Sequence, residues 1–187
     1  MEFTQELTDP KSGYAYIYRK TVRLAKDKPQ LLLEHNLKNT GRKTIEGIVF
    51  DHNLFVIDGQ TTGPDFTVTF PYPIKGEQEM RGLAEVRGNQ VVYLKTLEQG
   101  QTASTALTGF SQDPKDYDIR LENHKTGASV HILGDRPLTR IFFWSIPTTV
   151  CPEANVGMKI EPDTDFSWNM TYDFYTLPRG ADAPPAR

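Results

Sequence analysis

A single cysteine, Cys151, among 187 residues excludes an intramolecular disulfide, so the fold must rest on packing and hydrogen bonding; it also leaves the redox compartment open. Long apolar runs are missing too. RIFFWSIP, residues 140–147, is strongly apolar yet far too short to cross a bilayer as a helix. The opening MEFTQELTDPKSG has neither the basic flank nor the apolar stretch of a secretory leader, so the chain as given carries no targeting segment and names no compartment. Basic residues are nowhere massed: the 21 lysines and arginines are scattered and the net charge is −3, which leaves no footprint for nucleic acid or an anionic membrane. No segment repeats at a fixed period, and no stretch of helical length carries a helical apolar period.

What the chain does have is β pattern. Stretches such as GYAYIYRKTVRLA, QLLLEHNLKNT, TIEGIVFDHNLFVI, TASTALTGF and FSWNMTYDFYTL are rich in β-branched and aromatic residues. Gly, Pro, Asn and Asp clusters separate them, and about eleven strands are predicted, mostly antiparallel. The fold class expected is all-β, a large antiparallel β-sandwich, with residues 1–177 as one domain and 178–187, PRGADAPPAR, as a flexible tail. The loops DGQTTGP and IKGEQEMRGLAEVRG are long enough to shape a site.

Two stretches stand out chemically. In IVFDHNLFVID, residues 48–58, alternation sets Ile48, Phe50, His52, Leu54 and Val56 on one face and Val49, Asp51, Asn53, Phe55 and Ile57 on the other. Both rows are largely apolar, so the strand is expected to be covered on both sides. Three consecutive polar residues are expensive there unless each is paired, and such expense often marks a site. His52 is read as functional; Asp51 and Asn53 divide evenly between function and structural pairing. His35, in the apolar row of LLLEHNLKN, is read as a core or interface histidine satisfied by one hydrogen bond. Glu153 follows Cys151 and Pro152 after a strongly apolar strand. A carboxylate held against apolar surface gains proton affinity, which suits a general base, although a lone glutamate there is more often a solvated turn residue.

In order and spacing, DHNLFVIDG resembles the histidine strand of the galactose mutarotase (aldose 1-epimerase) superfamily. TTVCPEANVGMKIEPDTDFSWNMTYDF is similar to that family's C-terminal glutamate segment, and ENHKTGASVHILGDRPLTRIFFWS to the hairpin before it. The likeness runs from Tyr14 to Leu177 and implies a sandwich that binds a monosaccharide or glycan on a concave face. By position, His52 matches the general acid that protonates the ring oxygen, and Glu153 the general base that takes the anomeric proton. Asp118, or Asp116, would be the substrate-holding aspartate. Asn53 and Trp144 are further expected substrate contacts, with Trp168, Phe55, Tyr72 and Tyr117 also available to stack on a sugar. No cofactor and no metal is implied. Asp51 stands where the family usually has Asn, and Leu54 where it has an aromatic. The family's N-terminal portion, with an arginine and a further histidine, has no counterpart in this sequence. A sandwich short of strands has open edges, so a homodimer is expected. The other expectation is a non-catalytic carbohydrate-binding or structural sandwich that keeps the fold without the reaction.

Overall fold

The computed structural model describes residues 1–178, so all of the expected tail except Pro178 lies outside the described residues. Fourteen strands follow one another: β1 (Glu2–Asp9), β2 (Tyr14–Leu24), β3 (Gln30–Asn39), β4 (Ile45–Phe50), β5 (Phe66–Thr69), β6 (Lys75–Gly76), β7 (Ala84–Arg87), β8 (Gln90–Tyr93), β9 (Ala103–Thr108), β10 (Asp118–Asn123), β11 (Ala128–Gly134), β12 (Leu138–Ile146), β13 (Thr149–Ile160) and β14 (Asp165–Thr176). They build a nine-stranded sheet in the order β1-β2-β3-β14-β11-β10-β5-β8-β7 and a five-stranded sheet in the order β4-β13-β12-β9-β6, with every pairing antiparallel. The all-β sandwich expected from the sequence is the fold found.

Period-2 alternation explains how the sheets meet. From the large sheet, Phe66, Val68, Val91, Ile119, Leu121, Val130, Ile132 and Met170 point inward; Leu107, Ile141, Phe143, Val150, Ala154 and Val156 answer from the small one. Each large side chain so buried contributes roughly 1.5–3 kcal/mol. A polar pair also spans the layers: the Tyr93 hydroxyl donates to Ser145 Oγ at 2.8 Å, joining β8 to β12.

Three strands escape the sequence pattern. All eight residues of β1 are exposed, so no apolar alternation announces it, and its register with β2 (Glu2↔Thr21 to Asp9↔Tyr14) holds it in place. The other two, β6 and β7, lie in the segment expected to be a site-shaping loop, which instead buries Met80, Leu83 and Ala84.

Strand β4 corrects a second expectation. It ends at Phe50 and forms one edge of the small sheet, and its outer row is open rather than covered: Ile48 is 51% exposed and Phe50 41%, and beyond the strand Leu54 is 57% and Val56 63% exposed.

Candidate functional site

Pro152 is the fourth of the twelve residues of β13, where a proline leaves one ladder position without a donor. The neighbouring Val150, whose backbone faces the same way, exchanges hydrogen bonds with Phe55 at 3.0 Å in both directions. Further along, β13 pairs with β4 from Asn155↔Phe50 onward. Between these two attachments, opposite Pro152, residues 51–54 leave the ladder. That short departure carries His52.

Alternation survives across it. Asp51 and Asn53 turn inward while His52, its side chain 63% exposed, turns outward. Asn53 is buried and its Oδ1 accepts from the Tyr172 hydroxyl of β14 at 2.7 Å. Asp51 Oδ1 lies 3.1 Å from Lys20 Nζ of β2, and its Oδ2 is 3.6 Å from His35 Nε2 of β3. His35 bonds in turn to the Tyr18 hydroxyl through Nδ1 at 2.6 Å and stacks on Trp168 with ring centroids 4.6 Å apart. Burial outweighs the nearby Asp51 carboxylate and pulls the His35 pKa below its ordinary value; burial, then Asp51, pushes the Tyr18 phenol up to about 12. The two polar residues flanking His52 are therefore tethers to the large sheet, which accounts for the Asp-His-Asn run.

Glu153 approaches from β13. Cys151 and Glu153 lie on the outer face of that strand, directly opposite Trp144 and Phe142 of β12. Glu153 Oε2 is 3.3 Å from His52 Nδ1, and the glutamate side chain is 14% exposed. Together His52, Leu54, Phe142, Trp144, Cys151 and Glu153 line an open cavity of about 400 Å³. Burial, followed by the adjacent Glu153 carboxylate, pushes the Cys151 thiol up to about 11, so it is a neutral thiol near pH 7.

The arrangement brings together three of the five residues singled out from the sequence: His52, Glu153 and Trp144. It does not bring the other two. Asn53 is turned away by the alternation that presents His52, and its amide serves Tyr172. Asp118 lies between Tyr117 and Ile119, both buried in the core, so it projects from the far side of the large sheet; there His131 is at 2.7 Å and Arg120 at 3.5 Å. Asp116 closes a short 3-10 turn, Pro114–Asp116, and accepts from the Ser111 backbone N–H at 2.5 Å. Among the other aromatics, Tyr117 and Trp168 are core residues, and neither Phe55 nor Tyr72 lines this cavity. Phe142 and Cys151 were missed, although Cys151 stands two residues before Glu153, the strand spacing for one shared face.

The sequence matches no protein-family model and no curated protein. Solved structures do match. A C. elegans homologue described as GalM/aldose epimerase superposes with a TM-score of 0.69 at 12% identity, over 95% of this chain and 66% of that one. A Synechocystis protein gives 0.68 at 13% identity over 94% and 61%. A galactose mutarotase related enzyme from Lactobacillus acidophilus gives 0.64 at 12% identity over 94% and 67%. This chain thus spans only about two thirds of the length of these structures, and identities this low speak to architecture alone. The fold they share with it is the galactose mutarotase-like β-sandwich.

Proposed function

We propose that this chain is a carbohydrate-active, mutarotase-like protein that interconverts the anomers of an aldose by general acid/base ring opening. The observation that carries the reading is the pairing of His52 with Glu153, 3.3 Å apart, over an apolar-walled cavity large enough for one sugar ring. Glu153 removes the proton of the anomeric hydroxyl while His52 protonates the ring oxygen. The C1–O5 bond breaks, the aldehyde rotates, and reclosure returns both protons with the anomeric centre inverted. Trp144 and Phe142 supply the flat apolar wall on which a pyranose stacks. The exposed His52 ring has room to swing aside and admit the sugar between the two groups.

The test is anomer exchange of freshly dissolved α-glucose or α-galactose, followed by polarimetry or NMR. Wild type should accelerate it, and Glu153→Gln and His52→Asn should each reduce the acceleration by about 10²-fold or more. One observation favours the non-catalytic alternative: among the described residues, His52 and Glu153 are the only charged or titratable groups apart from the thiol that line the cavity, so no further charged group among them grips a substrate there. Sugar-induced chemical-shift changes without acceleration would establish that binding module instead.

The same proposal includes a homodimer. The edge position of β4 and the exposed row of Ile48, Phe50, Leu54 and Val56 favour a second copy as cover. A monodisperse monomer in sedimentation velocity across a wide concentration range counts against it.

A further inference from the structure

We infer that His52, Cys151 and Glu153 form a binding site for a zinc-like divalent transition metal, one whose occupancy takes the acid/base pair out of use. One nitrogen, one sulfur and one carboxylate oxygen from these residues lie within 4.8 Å of one another, the one such group of three among the described residues. The convergence follows from the local fold. Cys151 and Glu153 share a strand face at two-residue spacing, and the departure opposite Pro152 carries the imidazole over that face.

Bond lengths to zinc of about 2.0–2.3 Å put tetrahedral ligand atoms roughly 3.3–3.6 Å apart. The separation between His52 Nδ1 and Glu153 Oε2 is 3.3 Å, so that edge of the tetrahedron is in place. Closing the others takes shifts of up to roughly 1 Å, shared between the exposed His52 ring and the Glu153 carboxylate. Because the cavity opens in front of the three, the fourth corner is left to solvent.

The donor set also selects the ion. A thiolate, an imidazole and one carboxylate suit zinc, cobalt(II) or cadmium, whereas magnesium and calcium call for shells of oxygen. Binding exchanges the thiol proton for the metal: the S–H bond breaks, an S–M bond forms, and one proton passes to solvent. On the proposed mutarotase reading, the ion then holds the lone pairs that Glu153 and His52 need to move protons. It acts as a reversible inhibitor, while its binding stands independently of that reading.

The experiment uses the whole chain, freed of metal by a chelator and kept reduced without added thiol. Cobalt(II) is titrated in and followed by absorption, then displaced with zinc. The expected result is one ion per chain, a sulfur-to-cobalt charge-transfer band, and no binding of magnesium or calcium. Cys151→Ser should abolish the band. His52→Ala, a change at an exposed side chain, should weaken zinc by about tenfold or more while the band persists at higher cobalt. Absence of the band in wild type, or equal zinc affinity in wild type and His52→Ala, overturns the site. Anomer exchange measured alongside separates the two proposals. A metal-binding chain without exchange activity keeps the site and removes the mutarotase reading; exchange that persists with zinc bound overturns the inhibitory role.

Discussion

Tyr172→Phe tests how His52 is held. Asn53 is 7% exposed, its Oδ1 accepts one bond from the Tyr172 hydroxyl at 2.7 Å, and its Nδ2 has no partner among the described residues. Deleting the hydroxyl leaves the amide unpaired at both ends, which costs about 1–3 kcal/mol. For a domain of this size that is a fall in Tm of roughly 2–12 °C. Adding Asn53→Leu removes the stranded amide itself, since exchanging both partners for apolar groups of similar shape is nearly neutral, so the double variant should recover most of the loss. Urea denaturation followed by tryptophan fluorescence gives the free energies. If the tether also positions His52, Tyr172→Phe should slow anomer exchange by up to about 10²-fold under conditions where the variant is fully folded. A change in stability below about 0.5 kcal/mol, or a double variant as unstable as the sum of its parts, refutes the tether.

Stability should fall as pH drops below about 6.5, the ordinary histidine value, because His35 is held neutral by burial and the unfolded chain then binds the extra proton. His35→Gln should flatten the dependence of the urea midpoint between pH 7 and 5; an unchanged slope would assign the effect elsewhere. Gly134→Ala places a Cβ 2.1 Å from the ring of the buried Tyr117, so a loss of about 1–3 kcal/mol or more is expected in thermal unfolding, and a neutral result would mean that the ring can yield.

The strands of the core were legible because alternation of apolar and polar residues survives wherever one face is buried, as in β10 and β11. It vanishes in β1, whose residues are exposed on both faces and whose place is set by partner pairing alone. The histidine and the glutamate were visible as chemistry out of keeping with their apolar surroundings. Their meeting was not visible in the residues themselves, since it depends on the β4–β13 register and on the missing donor at Pro152. The family resemblance alone supplied it as an expectation. Asp118 was misplaced because a residue type suited to sugar contact says nothing about which way its strand turns it, whereas alternation had already set Asn53 on the face opposite His52. The aromatics divide on the same ground, Trp144 facing the cavity from β12 and Trp168 the layer around His35.

The link from Phe50 to Phe55 has a parity as well as a length. With Phe50 and Phe55 both held by β13, deleting or inserting one residue between them breaks the alternation that turns His52 outward and Asp51 and Asn53 inward. A substitution at the exposed Leu54 leaves that count untouched, so its effect on folding should be small. This connection is therefore constrained both in its side chains, through the ties of Asp51 and Asn53 to the large sheet, and in the number of residues that sets which of them face it.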